Sequence, residues 1–494
     1  MKIFLQGHQH QYEIERIAHV FFPNESIEFV EKDDEGQRGD FFVESQFKDM
    51  NGSIYALTKI IKNGNIKEGL VVQKYNSSII SYQYTSLCKS MIKLSFYRAA
   101  KQVSQVDVPW GTLTGIRPTK IIHNLIEERK SDIDIKYILS EQYAVSDEKI
   151  QLILEVAYNE LKVLKQSRPN SIGLYIGIPF CPTRCLYCSF VSNAVHKAQK
   201  FVEPYVEALI REILYTRRII DNMGWIVESI YIGGGTPTVL SSKLLERLLY
   251  TLCTQINVET VKEFTIEAGR PDTIDKEKLN TIKKYAVSRL SINPQTMNQS
   301  TLKTIGRCHT PEDVVSSFQL ARDLGFDNIN MDVIAGLPDE TVEMYQNTLK
   351  EIQKLDPENI TVHTMSIKRA SKLHEKINEY SITQAHIVQD MLKFTQQFMK
   401  DNDRYPYYLY RQKNILGNLE NVGYCKQDFE CIYNVQIMEE RQSIIAMGCG
   451  AVTKLVNATN NRIDRIFNVK EVEEYINRID EMLHRKDKIY QYFI

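Results

Sequence analysis

Six short apolar runs alternate with longer amphipathic stretches between residues 172 and 365, and that alternation limits this part of the chain to an α/β core. The runs lie at 173–179, 229–232, 263–267, 288–293, 328–334 and 360–365. Helical spacing fills the intervals near 203–221, 241–252, 275–285, 311–324 and 341–355. Strands alternating with helices build parallel βαβ units, which give either an open doubly wound sheet or a curved, barrel-like one. In both, ligands gather beyond the C-terminal ends of the strands. The chemically distinctive residues fall there. Three cysteines follow the first run and the glycines at 233–235 follow the second. Glu267 ends the third, Gln295 lies just past the fourth, and Asp332 sits late in the fifth. Residues far apart in sequence thus converge on one mouth.

The cysteines Cys181, Cys185 and Cys188 are spaced C-x3-C-x2-C. Thiolates are the soft ligands of iron–sulfur clusters, and a four-iron cube normally takes four of them. Three leave one iron open to another ligand. Structural zinc sites usually show paired C-x2-C elements with four ligands in all, and no second pair exists here. His196 and His309 stand alone. The chain has nine cysteines, an odd number. Disulfide frameworks belong to small secreted domains. The other six, Cys88, Cys253, Cys308, Cys425, Cys431 and Cys449, are scattered and read as ordinary thiols.

At 494 residues the chain is too long for one hydrophobic core. Residues 1–105 mix strand-like runs (53–61, 69–75 and 78–84) with polar turns, including Asn63-Gly64, and predict a small α+β domain. A helical connector at 106–170 holds helices near 118–130 and 146–166 and ends in the polar stretch 165–171. The α/β core then spans 171–380 and a C-terminal domain 381–494, with a helix at 385–399 and a polar amphipathic helix in the last 25 residues. Basic residues number 61 against 62 acidic, so the excess typical of nucleic-acid binders is absent. The first apolar run is only Ile3 to Leu5, too short for a secretory signal. No run approaches the roughly 18 apolar residues of a membrane span. These features predict a cytoplasmic location without nucleic-acid binding or membrane insertion.

IGIPFCPTRCLYCSF resembles the cluster loop of the radical S-adenosylmethionine (SAM) superfamily. The series LYIGIPFC, GGGTPT, RLSINPQ, IGRCHT and NINMDVIAGLP is similar to the oxygen-independent coproporphyrinogen III oxidase group, as is GCGA at 448–451. WGTLTGIRPTK and YYLYRQKNILGNLENVGY resemble the HemZ-type coproporphyrinogen dehydrogenase branch. The resemblance implies a partial (β/α)6 radical SAM barrel with an N-terminal α+β domain and a C-terminal extension. It implies a [4Fe–4S] cluster on Cys181, Cys185 and Cys188, with the fourth iron bound to SAM. Tyr175 matches a tyrosine beside SAM and cluster. Gly234, Gly235 and Thr236 match the segment along which SAM lies. Glu267, Gln295, Arg307 and Asp332 match polar residues that contact SAM or a second SAM molecule.

The implied activity is oxygen-independent oxidative decarboxylation of coproporphyrinogen III propionates, with an electron donor as partner. Arg411 and Lys413, beside Tyr407, Tyr408 and Tyr410, are candidates for gripping a tetracarboxylate macrocycle. An ordinary strand with a solvated basic end accounts for them equally. One position departs from the pattern. The enzymes of the group carry a further cysteine two residues after the third, where this chain has Phe190. Phe190 matches haem-chaperone relatives, so a haem-binding or haem-delivery protein is the competing reading. A radical SAM enzyme with another small-molecule substrate is a third.

Overall fold

The computed structural model describes all residues except 32–38, 51, 76–80, 116, 191–192, 413, 458–461 and 494. Contacts divide the chain into two compact units, Met1–Leu154 with Gly417–Leu419, and Glu155–Leu416 with Glu420–Ile494. The division falls ahead of the polar stretch at 165–171.

The second unit is built on an eleven-stranded sheet. Six parallel strands lie side by side in chain order: Ser171–Ile178, Ile226–Gly234, Glu263–Glu267, Arg289–Ser291, Ile329–Ala335 and Asn359–Thr364. These are the six predicted runs. They read as apolar stretches because parallel strands are covered on both faces. Among the described residues the sheet does not close. The first strand pairs on its outer side with Ser443–Met447, and the sixth pairs with the antiparallel Asn421–Cys425. The result is the expected partial (β/α)6 arrangement.

Helices return between the strands at signals written in the sequence. Ser241, Asp275, Thr310 and Thr341 each accept a hydrogen bond from the backbone amide three residues on. Such caps satisfy amides that a helix start leaves unpaired. The fourth strand is shorter than predicted, Arg289–Ser291 rather than 288–293. Pro294 has no amide to give a ladder, and pairing resumes only at Gln295, which bridges Val333. The helix predicted from 203 starts earlier, at Val195, and runs to Asn222 through Pro204. Ala198 and Val202 continue the buried stripe of Val206, Leu209 and Ile213, so packing carries the helix across the proline.

The C-terminal residues complete the same sheet with Ser443–Met447, Val452–Asn457 and Arg462–Phe467. The amphipathic tail is three short helices, Val472–Asn477, Ile479–Arg485 and Lys488–Phe493, rather than one. It is tied down at Glu212. This fully buried carboxylate accepts from Gly448 N (2.8 Å), Asn468 Nδ2 (2.8 Å) and Tyr475 Oη (2.5 Å), and pairs with Lys486 Nζ at 3.2 Å. A buried charge persists only with such a full set of partners.

The first unit carries a five-stranded sheet ordered Glu28–Val30, Lys2–Gln6, Phe41–Met50, Ser53–Lys62 and Asn65–Lys74. Asn63 and Gly64, both with positive φ, turn the last hairpin as expected. The run predicted as a strand at 78–84 is different. Residues 78–80 lie outside the described residues, and 81–84 open the helix Ser81–Ala100. Cys88, Met91, Ile92, Ser95, Phe96 and Ala99 of that helix are buried, with Ile14, Ile17, Val43 and Ile54 in the same core. Packing of that stripe overrides the local β-propensity of Tyr82 and Tyr84. No helix among the described residues is long and apolar enough to cross a membrane.

Candidate active site

The cysteine loop leaves the first parallel strand through the short strand Phe180–Cys181, which pairs with Asn193–Ala194. Leu186 anchors it. Its amide donates to Ile305 O and its carbonyl accepts from Leu373 N, while its side chain packs with Leu302, Ile305, Leu337 and Leu373. Among the thiols, Cys185 is buried and Cys181 and Cys188 half-buried, and none of the three is in a disulfide among the described residues. Burial pushes the Cys188 thiol up to about 11, and the neighbouring Cys185 and Cys181 sulfurs add to the effect. Three thiols held in one loop form a donor set suited to a positively charged, soft metal centre, which would deprotonate them. Thr236 Oγ1 donates to Cys181 Sγ at 3.6 Å.

Inside the curved sheet runs a row of part-exposed residues in otherwise buried strands. Tyr175, Glu267, Asp332 and His363 are each the only such residue of the first, third, fifth and sixth parallel strands. Tyr231 occupies the same row on the second, level with Tyr175. The rings of Tyr175, Tyr231 and Tyr433 stack, with Tyr231 and Tyr433 centroids 4.5 Å apart and the other two pairs at 6.4 and 6.2 Å. Tyr231 Oη donates to Glu267 at 2.5 Å.

The two carboxylates of the row are driven apart electrostatically. Burial, with the Asp332 charge adding to it, raises Glu267 to about 7, against hydrogen bonds from Tyr231 and the Gly234 backbone. Burial also acts on Asp332, but His363, Asn330 and Arg289 outweigh it and hold this carboxyl below its ordinary value. Asn330 Nδ2 donates to Asp332 at 2.8 Å, and His363 Nε2 lies 3.6 Å from it. The other His363 nitrogen is 3.0 Å from Tyr410 Oη. One carboxylate thus stays charged while its neighbour titrates near neutrality, an arrangement common in functional sites.

The glycine run lies between the row and the loop. A Cβ on Gly235 would stand 2.4 Å from Phe180 O and 2.8 Å from Ile178 O, so this glycine admits the strand that feeds the cysteines. Gly234, with φ +103°, faces Tyr175 Oη. Gln295 is buried and also has positive φ. Its amide donates to Asp332 O and its carbonyl accepts from Ile334 N. Arg307 is buried, donates to Gly269 O and Asn293 O, and reaches Tyr187 Oη of the loop at 3.2 Å. The residues singled out in the sequence therefore meet, some in the row and some at the loop.

Other expectations change. Arg411 and Tyr407 are fully buried and Tyr408 is 5% exposed, so Arg411 is not a solvated strand end. Lys413 lies outside the described residues. His309 is buried, and burial above all lowers it to about 4, leaving it neutral near pH 7. Phe190 is 67% exposed. A cleft of about 1210 Å³ runs past the loop at Thr183 and Arg184, with Lys197, Lys303 and Lys372 along it. Reading the sequence missed Tyr231, His363, Tyr433, Arg270 and Asp272. For Tyr231 the signal was there, two residues before Gly233 and so on the same face of its strand.

Residues 175–352 match the family model described as Radical SAM superfamily. The chain is 39% identical over 402 residues to the oxygen-independent coproporphyrinogen-III oxidase-like protein HemZ of Bacillus subtilis (strain 168), covering 81% of this chain and 80% of that one. It is 29% identical over 324 residues to the heme chaperone HemW of Lactococcus lactis subsp. lactis (strain IL1403), covering 65% and 79%. Among solved structures it is similar to coproporphyrinogen III oxidase (HemN) from Escherichia coli, with TM-score 0.49, 23% identity and coverage of 66% and 73%.

Proposed function

Because the chain belongs to the Radical SAM superfamily, in the family of the oxygen-independent coproporphyrinogen-III oxidase-like protein HemZ, we propose that it removes CO2 oxidatively from the propionates of coproporphyrinogen III, leaving vinyl groups. The cofactors of this superfamily are a [4Fe–4S] cluster and SAM, which together supply a radical able to take a hydrogen atom from an unactivated carbon. Cys181, Cys185 and Cys188 would hold the cluster.

The chain's own residues bind, orient and exclude water. Gly234, Gly235 and Thr236 form the edge along which SAM is laid, and the Thr236 hydroxyl on Cys181 links that edge to the cluster loop. That contact carries the reading, since it joins the two cofactor segments in one place. Ionised Glu267 accepts hydrogen bonds from a ribose diol, and Asp332 holds an ammonium or hydroxyl group. Gln295 supports Asp332 from behind, and Arg307 offers its cation beside the loop. Tyr175, with Tyr231 and Tyr433, makes an aromatic wall that keeps water from the reacting centre.

SAM cleavage needs an electron from outside, and loss of CO2 from each propionate releases one electron to an acceptor. Lys197, Lys303 and Lys372 beside the loop make no ion pair among the described residues and suit an acidic electron donor in the cytoplasm. Anaerobic incubation of reconstituted protein with SAM, a reductant and coproporphyrinogen III is expected to yield protoporphyrinogen IX with SAM consumed in proportion. Cluster-loaded protein that cleaves SAM and leaves every propionate intact would count against it. The exposed Phe190 favours a second reading, a haem carrier like the HemW relative.

A further inference from the structure

Among the described residues each of the three loop sulfurs has a donor, and the donor on Cys185 is charged. Cys181 receives the Thr236 hydroxyl at 3.6 Å, and Cys188 receives the backbone amide of Phe190. Cys185 receives Arg270 Nη1, also at 3.6 Å. Arg270 lies beyond the end of the third parallel strand and is 3% exposed. Its fork is clamped by Asp272, with Nε to Oδ1 at 2.9 Å and Nη2 to Oδ2 at 3.0 Å. The remaining hydrogens reach the loop itself, at Thr183 Oγ1 (3.2 Å) and Thr183 O (3.4 Å). The backbone is equally fixed. Arg270 O accepts from both Thr273 N and Thr273 Oγ1, and Thr273 is in turn bonded to Thr238. The Asp272 carboxyl is held below its ordinary value, because Arg270 outweighs the burial that would raise it. The buried His309 ring lies 4.0 Å from Asp272.

We infer that Arg270 is a positioning residue that sets the reduction potential of the metal centre held by Cys185, with Asp272 aiming its guanidinium. The inference rests on reading the three cysteines as cluster ligands. Adding an electron to a thiolate-bound cluster makes it more negative. A donor aimed at a ligand sulfur stabilises that state and raises the potential. A charge-assisted donor does so about twice as strongly as a neutral one. Arg270 therefore outranks Thr236, although both contacts have the same length. Its burial matters too, since a low-dielectric site screens its charge little.

The test is a potentiometric titration of the full-length, anaerobically reconstituted protein, followed by the electron paramagnetic resonance of the reduced cluster, with iron and sulfide measured on each sample. Arg270→Gln is expected to keep its iron, yet to show a reduced-to-oxidised ratio about tenfold lower at any fixed potential, a shift of ~59 mV to more negative values for a one-electron couple. Arg270→Lys should recover part of the shift, because it keeps the charge but loses the planar clamp. Thr236→Val should shift in the same direction by less. Wild-type potentials in both Arg270 variants at full iron content overturn the inference. Should Arg270→Gln fail to load iron, Asp272→Glu, which keeps the carboxylate charge and displaces the guanidinium, decides by the same titration. A negative shift supports the inference, and an unchanged potential overturns it. Wild-type protein that binds no iron and sulfide would instead sink the cluster reading itself.

Discussion

Tyr231 gives its hydroxyl to Glu267 at 2.5 Å, and this bond opposes the burial that raises the Glu267 carboxyl to about 7. Hydrogen bonding to a charged acceptor favours the ionised form, so the tyrosine holds the group near a value where it still ionises at neutral pH.

A pH dependence follows. If ionised Glu267 accepts from the SAM ribose, SAM should bind more weakly as pH falls below about 7. Tyr231→Phe removes a bond worth about 1.5–3 kcal/mol, which corresponds to a midpoint about one to two units higher. Equilibrium dialysis of SAM between pH 6 and 9 checks this, and a midpoint unmoved by the substitution would remove Glu267 from SAM binding. Stability has its own sign. The folded state binds the Glu267 proton more tightly than the unfolded chain, whose ordinary value is 4.5. The contribution is fully present below about 4.5 and is lost as pH rises through about 7.

Gly235 bears on cluster and cofactor together. A Cβ there would press on Phe180 O at 2.4 Å. Gly235→Ala should therefore displace the strand that carries Cys181, and iron content should fall along with SAM cleavage. SAM cleavage lost at full iron content would show that the substitution blocks SAM directly.

The C-terminal helices should stabilise the loop from a distance. Lys486→Met leaves the buried Glu212 carboxylate without its cation, an uncompensated charge of the kind that costs about 3–5 kcal/mol. The Gly448 turn bonded to Glu212 sits against Gly177, two residues of strand ahead of Pro179. A lower urea midpoint for the second unit is expected, with faster loss of iron on standing. An unchanged midpoint would mean that the three hydrogen bonds to Glu212 suffice without the lysine.

Much of this architecture was legible before any coordinates. Parallel strands covered on both faces leave uninterrupted apolar runs, so all six stood out, and the cysteine spacing marked the loop. Partners brought together by strand register were not legible. His363 reaches Tyr410 across Asn421–Cys425, the strand that lies between theirs in the sheet. Tyr433 stacks on Tyr231 from a helix some two hundred residues later, and nothing near either ring announces it. Arg270 and Asp272 carried no motif, and their bearing on Cys185 appears only when the third strand end meets the loop. Arg411 misled in the other direction. A basic residue in an aromatic segment suggested a grip on a carboxylate-rich macrocycle or a solvated strand end, yet packing buries it.

Phe190 decides between enzyme and carrier. Its side chain is 67% exposed, while its amide serves Cys188. Phe190→Cys should therefore leave the loop intact, with stability changed by no more than about 0.5 kcal/mol, as for other exposed positions. Iron content should stay the same. Product formation should rise, because the variant gains the thiol that the resemblance associates with the oxidase activity. Wild-type protein should already convert coproporphyrinogen III, only in the presence of a reductant, and vinyl product measured by chromatography should track methionine released from SAM. A carrier would behave otherwise. Haem would bind one to one, the propionates would survive, and SAM cleavage would run slow and uncoupled. Stoichiometric haem binding without vinyl product, from wild-type and Phe190→Cys protein that both hold a complete cluster, would end the enzyme reading. Vinyl product from the variant alone would assign the missing step to that one side chain.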